Sequence, residues 1–359
     1  MIRKGKLNDM FDVSVIVPCR NEIRYIRAFL NCIFSQECEG MEMEVLIADG
    51  RSEDGTRAVL REFEMKCTDL VILDNPEKIV SAGLNRAIRE AKGEIVIRMD
   101  VHAEYASDYV RSCVKTLRET NADNVGGPAL ARAEGYLAQA IAHAFQTRFA
   151  RGYAKSRDPR YEGPVDSVPY GCWRKSTLER IGLFDETLVR SQDYELNTRL
   201  ISSGGIVWQS PNIRFWYRPR GSLSGLFSQY FQYGYWKLAV VRKHGRQSTW
   251  RNFVPGSCLL GGVALLLCAA AARLDGFEGW RNAFLDAWLA LVSLYLVVSF
   301  ASSFLVAKRK GWRFFPCLPI VFAVYHLSYA LGFILALAYR PAAGDRPNRI
   351  RKMVTAITR

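Results

Sequence analysis

Asp, Glu, Lys and Arg are absent from three long stretches of this 359-residue chain, residues 254–272, 287–307 and 314–339. Each has about the 20 residues that an α-helix needs to cross a bilayer. Helices buried in a soluble core usually keep a polar stripe and rarely run this long without charge, so the three stretches are predicted to be membrane spans. A leader-type segment is also lacking at the start: the first eleven residues are polar and the next apolar run is strand-like and ends at Pro18. The N-terminal part is therefore expected to stay in the cytosol. The nine cysteines lack metal-type spacing and are odd in number, which excludes a disulfide framework or zinc site and leaves reduced thiols. No internal repeat, low-complexity tract or nucleic-acid recognition motif is present. The net charge of +14 is thus assigned to anionic lipid headgroups and a phosphorylated substrate, not to nucleic acid.

What charge there is orients the spans. Arg242, Lys243, Arg246 and Arg251 precede the first, and Lys308, Arg309, Lys310 and Arg313 lie between the second and third. Both regions are expected on the cytoplasmic side, with the first two spans forming a hairpin. A third crossing would put the tail bearing Arg340, Arg346, Arg349, Arg351, Lys352 and Arg359 outside, against that tendency. Pro316 and Pro319 equally allow a re-entrant or interfacial path, and both alternatives stand. Residues 223–241 are aromatic and amphipathic and are expected at the membrane surface. The resulting division is a cytoplasmic domain over 1–220, an interfacial segment over 221–250, a membrane domain over 251–340 and a basic tail over 341–359.

The first domain reads as α/β. Continuous apolar runs at 13–17, 44–48, 70–73 and 95–99 alternate with helical patterns at 21–34, from Thr56 onward and at 81–91. This alternation predicts a mainly parallel sheet covered on both faces. Further on, helices are expected at 107–120, 135–149, 174–181 and 193–202, with strands near 124–127 and 206–209. A Gly-, Pro- and Arg-rich loop is expected at 152–169. Parallel sheets bind ligands beyond the carboxyl ends of their strands. Asn21, Glu22, Asp49, Asp54, Asp100 and His102 all fall there. In the run GEIVIRMDVH, residues 93–102, strand alternation would turn Asp100 and His102 to one side, where they can converge on one divalent ion.

The strings VSVIVPCRNE, ADGRSEDGT, AGLNRAIREAKGEIVIRMDVHA, VPYGCWRK, GLFDETLVRSQDYELNTRL and QYFQYGYWK, in that order, carry a resemblance over nearly the whole chain. It resembles family-2 glycosyltransferases of the GT-A fold, in particular the membrane-bound ExoA-like enzymes of bacterial exopolysaccharide (succinoglycan-type) assembly. The resemblance implies a GT-A nucleotide-sugar-binding domain followed by an interfacial helix and C-terminal transmembrane helices, in the bacterial inner membrane. It also implies inverting, metal-dependent transfer of one sugar from a nucleotide-sugar, expected to be UDP-linked, to a polyprenyl-diphosphate-linked saccharide. A polyprenyl-phosphate monoglycosyltransferase, a processive synthase and a catalytically silent scaffold are the alternatives.

By the same resemblance, Pro18, Arg20, Asn21 and Glu22 contact the nucleotide and Asp49 accepts a hydrogen bond from its base. Glu22 serves equally as a helix N-terminal charge, and Gly50-Arg51 departs from the Asp-Gly of many relatives. Asp54 and Gly55 read as turn and cap residues. Asp100 and His102 match the D-x-D metal motif, with His in the second place, and would hold Mg²⁺ or Mn²⁺. Asp193, in a Gln-Asp-Tyr-Glu run that matches the family's acidic motif, is the expected general base. Gln192, Glu195 and Arg199 lie beside it, and Glu195 and Arg199 also fit a structural i,i+4 pair. Gln232 and Trp236 resemble an element that holds acceptor or diphosphate in processive relatives; Tyr235 replaces its arginine, which argues against long-chain synthesis. Trp173 with Tyr170 fits an acceptor platform or the core, and Arg174 and Lys175 fit phosphates, lipid headgroups or solvent.

Overall fold

The computed structural model describes residues 11–152, 154–245 and 252–339. The chain divides into two compact units, Met1–Ala131 with Ala154–Arg218, and Arg132–Tyr153 with Pro219–Arg359.

The first unit begins with four parallel strands, β1 (Val13–Cys19), β2 (Met43–Asp49), β3 (Leu70–Asp74) and β4 (Ile95–Arg98). They are joined through helices α1 (Ile26–Phe34), α2 (Thr56–Glu64) and α3 (Val80–Glu90). The apolar run of β1 is continuous because both faces of the strand are covered. Val13, Val15 and Val17 enter one core with Phe29, Leu30 and Tyr105, while Ile16 enters the other with Leu84, Ile88 and Val96. Next come β5 (Ala103–Tyr105), α4 (Tyr109–Thr120), β6 (Asn124–Gly126) and β7 (Ala129–Ala131). After α5 (Tyr136–Phe145) and α6 (Arg148–Arg151), which belong to the second unit, the chain returns as β8 (Gly163–Pro164), β9 (Cys172–Arg174) and α7 (Lys175–Ile181). It finishes with α8 (Gln192–Ser202), β10 (Val207–Gln209) and β11 (Phe215–Tyr217). The main sheet has the order β3-β2-β1-β4-β9-β6-β10-β8, and a small one the order β5-β11-β7.

Several of these strands went unread in the sequence. The consequential one is β9, which pairs antiparallel with both β4 and β6 in the middle of the sheet. Trp173 is therefore fully buried, edge-on to Phe184 at 6.1 Å, and the acceptor-platform reading of this residue is corrected to a core one. Gly171 (φ +98°) is required just before it, since a Cβ there would lie 2.4 Å from the Trp173 ring. Arg174 and Lys175 likewise serve the fold, donating to the carbonyls of Ala122 and Ala91.

The second unit holds α9 (Leu223–His244), α10 (Val254–Leu274), α11 (Glu278–Lys310) and α12 (Leu318–Ala338). The last three are long and apolar enough to cross a membrane, with mean hydropathies of 2.0, 2.2 and 2.0. At ~1.5 Å per residue α11 is about 50 Å long, so its charged ends extend past a hydrocarbon core of ~30 Å. α12 runs unbroken, with Pro319 in its first turn where no intrahelical hydrogen bond is lost, so no re-entrant break interrupts it. Residues 132–152, read in the sequence as part of the cytoplasmic domain, belong instead to this unit. Ala140, Ile141 and Ala144 of α5 meet Leu318, Val321, Phe322 and Tyr325, and Tyr325 Oη donates to the Ile141 carbonyl at 3.1 Å. All the basic residues of the tail, Arg340, Arg346, Arg349, Arg351, Lys352 and Arg359, together with Arg246 and Arg251, lie outside the described residues.

The aromatic run expected at a membrane surface forms α9, which packs closely on α12. A Cβ at Gly332 would fall 1.8 Å from the Phe231 carbonyl oxygen, and one at Gly234 would fall 2.1 Å from that of Tyr329. Small residues here let two helix backbones touch. Gly332→Ala is expected to cost about 1–3 kcal/mol through overpacking, outweighing the roughly 1 kcal/mol that Ala gains in helix propensity. Gly261→Ala in α10, where nothing lies within 4 Å, serves as the control. Thermal unfolding in detergent should show a lower Tm for the first variant and not for the second.

Candidate functional site

The carboxyl ends of β1, β2 and β3 meet in register, with Cys19 beside Asp49 and Asp49 beside Asp74. The loops after β1 and β2 are laced together. Asn21 N–H donates to Ser52 Oγ (2.9 Å), Glu53 N–H to Asn21 Oδ1 (3.0 Å), Glu22 N–H to Thr56 Oγ1 (2.8 Å) and Ile23 N–H to Asp54 Oδ2 (3.1 Å). Asp54 also accepts from the Thr56 amide and hydroxyl, at 3.0 and 2.6 Å, and so caps the turn into α2. Asn21 and Arg51 both sit at φ +54°, a conformation uncommon outside glycine, and the lacing holds them there. The Arg20 side chain lies over Gly50, whose added Cβ would be 3.1 Å from Arg20 Cδ. Pro18 pairs in register with Ala48.

Asp49 is fully buried. It accepts from Ser52 Oγ at 2.6 Å and from the Ser52 amide at 3.2 Å, and Arg57 Nε lies 3.4 Å away. An ionised carboxylate offers about four acceptor positions, so these contacts orient Asp49 and leave capacity for a further donor. Burial and the neighbouring Asp49 carboxylate push the Cys19 thiol far above its ordinary value, consistent with an inert reduced cysteine.

The densest charge lies at the end of β4. Arg98 is 3% exposed. Its Nε and Nη2 donate to the two oxygens of Asp100, at 3.0 and 3.1 Å, while Nη1 is ion-paired with Asp193 from the first turn of α8. The ring of Tyr170 lies 5.7 Å from the guanidinium carbon. Burial works against charge on Arg98, but Asp100 and Asp193 outweigh it and hold the guanidinium firmly protonated. Burial pushes the Asp193 carboxyl up to about 6; Asp100 adds to the rise and Arg98 opposes it.

His102 is placed otherwise than strand alternation predicts. The Ala103 amide bonds back to the Asp100 carbonyl at 3.1 Å, so the chain turns between them and β5 starts only at Ala103. The imidazole is half exposed, with Nδ1 3.7 Å from Glu22 Oε1. Among the described residues no cluster of three or more His, Cys, Asp or Glu side chains is set to hold a metal. The donors nonetheless suit a hard cation that takes further ligands from a diphosphate and water: a carboxylate with spare acceptor positions and an exposed imidazole.

The remaining sequence-derived residues separate into two sets. Gln192 and Glu195 are buried in α8; Arg199 Nε and Nη2 fork onto the oxygens of Glu195 at 2.8 and 2.9 Å, and Arg199 also donates to the carbonyls of Ile181 and Leu183. That arrangement is the structural i,i+4 pair, fastening α8 to the turn after α7. Gln232 and Trp236 lie in the second unit, buried on α9. The residue that sequence reasoning missed is Arg98. Its signal was visible, since a lone basic side chain inside the apolar run 95–99 needs a buried counter-charge.

The sequence profile described as "Glycosyl transferase family 2" matches residues 14–181. The chain is 28% identical over 323 residues to the succinoglycan biosynthesis protein ExoA of Rhizobium meliloti, covering 89% of this chain and 93% of that one. It is 26% identical over 338 residues to a dolichyl N-acetyl-alpha-D-glucosaminyl phosphate 3-beta-D-2,3-diacetamido-2,3-dideoxy-beta-D-glucuronosyltransferase of Methanococcus voltae, covering 90% and 97%. Among solved structures, the mannosyltransferase PcManGT of Pyrobaculum calidifontis, determined with GDP-Man and Mn²⁺, superposes with a TM-score of 0.57 at 21% identity, covering 90% of this chain and 87% of that one. The mixed, mostly parallel sheet with its carboxylates at the strand ends is the GT-A fold. The chain is accordingly a glycosyltransferase, in which residues 14–181 form a domain of glycosyl transferase family 2 and three C-terminal helices are apolar enough to span a membrane.

Proposed function

We propose that the protein transfers a single sugar, with inversion, from a UDP-linked donor to a polyprenyl-diphosphate-linked saccharide at the cytoplasmic face of a bacterial inner membrane. The observation that carries this reading is the pairing of Asp100 and Asp193 through one buried arginine at the carboxyl edge of the sheet. In this reading Asp100 would bind the cation and Asp193, on the same guanidinium, would serve as general base. Asp193, with its carboxyl near 6, is largely ionised at neutral pH and basic enough to accept a proton. The acceptor hydroxyl oxygen bonds to the anomeric carbon while its proton passes to Asp193. The bond from that carbon to the diphosphate oxygen breaks on the opposite face, and the nucleoside diphosphate departs with the electron pair. Asp100 and His102 would hold Mg²⁺ or Mn²⁺, which supplies positive charge to the departing diphosphate. Arg20, Asn21, Glu22 and Pro18 would line the nucleotide, with Asp49 directed to its base.

The acceptor class draws support from the Methanococcus voltae relative, whose name places its acceptor sugar on a dolichyl phosphate. Single addition is supported by Tyr235, at the position where processive relatives carry arginine. Apolar helices that keep the enzyme at the bilayer would raise the effective concentration of a lipid-linked acceptor. The test is nucleotide release by the purified full-length protein with Mn²⁺ and a panel of UDP- and GDP-sugars, with and without lipid extract. Release that requires a lipid-linked saccharide, with a product one residue longer, is expected. Turnover on lipid phosphate alone would favour the monoglycosyltransferase reading, products longer by several residues a processive synthase, and no release from any donor a silent scaffold.

A further inference from the structure

We propose that Arg98 is a positioning residue that sets the charge balance of the site, orienting Asp193 for the acceptor while loosening the grip of Asp100 on a divalent cation. The inference rests on the functional reading above and assigns a residue that the reading leaves without a role. Arginine is rarely buried without a counter-charge, because desolvating the guanidinium is costly. Here all three of its nitrogens are engaged with the two carboxylates. Its origin is fixed as well. Arg98 ends β4, pairs in register with Ile16 of β1 and donates its amide to the Gly171 carbonyl at 3.0 Å. With Tyr170 against its face, the guanidinium is held from both ends.

Two consequences follow, of opposite sign. Asp193 belongs to α8 and Asp100 to the turn after β4, so the fork ties a carboxylate on a helix to one on the sheet and limits where Asp193 can point. A fixed positive charge against both oxygens of Asp100 also repels any second cation that approaches that carboxylate. Removing the charge should therefore strengthen cation binding and weaken turnover. A residue that merely fills space would move both downward together.

The experiment titrates Mn²⁺ directly, by electron paramagnetic resonance of the free ion, into the full-length protein without donor or acceptor, and separately measures kcat. For Arg98→Met, Mn²⁺ binding about tenfold tighter and kcat about 100-fold lower are expected. For Arg98→Lys, which keeps the charge but not the fork, Mn²⁺ affinity within about threefold of the parent and kcat about tenfold lower are expected. Folded Arg98→Met protein that binds Mn²⁺ no more tightly than the parent would overturn the proposal. Should that variant fail to fold, Arg98→Lys decides: undiminished kcat overturns the proposal, and the loss at preserved Mn²⁺ affinity supports it. A parent protein that binds no Mn²⁺ would instead sink the metal-dependent reading, and this inference with it.

Discussion

Asp193→Asn is expected to lower kcat by about 10³-fold, within the range for loss of a positioned general base, and to leave donor binding within about threefold of the parent. The substitution keeps the size of the side chain and one oxygen for Arg98, so the fork at the end of β4 loses charge and keeps its shape. Acid should mimic it. The base works only when ionised, and burial has pushed the Asp193 carboxyl up to about 6, so kcat in the parent falls as pH drops through about 6 and levels off above it. In Asp193→Asn that limb disappears, because the group responsible is gone. Full activity in the variant, or an unchanged acid limb in its residual rate, would remove Asp193 from the role of base.

Asp100→Asn is expected to cost about as much by another route. Stabilising charge on a departing diphosphate is worth several kcal/mol, which corresponds to roughly 10³-fold in rate. The amide that replaces the carboxylate has no charge to offer a divalent ion. The variant should therefore lose turnover together with Mn²⁺ affinity, and its residual rate should be indifferent to chelator, whereas chelation should abolish turnover in the parent. Asp100 is also one of the two carboxylates on Arg98, so its neutralisation leaves the guanidinium to Asp193 alone. That favours the ionised base and should move the acid limb below 6, because a neighbouring negative charge no longer raises the Asp193 carboxyl. Turnover that survives exhaustive chelation in the parent would contradict the role given to Asp100.

Long apolar runs and local alternation carried most of the fold into view. β1, β2, β3 and β4 are each at least four residues with buried faces, and three uncharged stretches correspond to α10, α11 and α12. β5, β7, β9 and β11 are three residues each, too short to show a period, and they exist only because a distant strand supplies the other half of each ladder. The same limit hid the affiliation of α5. Its alanine-rich pattern is visible, but nothing local says that Phe322 and Tyr325, far along the chain, are what it covers.

For the site, the order of residues alone was enough to place acidic side chains at the ends of β2 and β4 and at the start of α8, because strand ends and helix starts are local features. It could not say which of them share a partner. Folding brought Asp100 and Asp193 onto one guanidinium, closed Glu195 and Arg199 into a structural pair, turned His102 toward Glu22 and drew Trp173 into the core. Those outcomes depend on distances between segments remote in sequence and on the cost of leaving a buried charge unpaired, and both are settled only when the sheet has assembled.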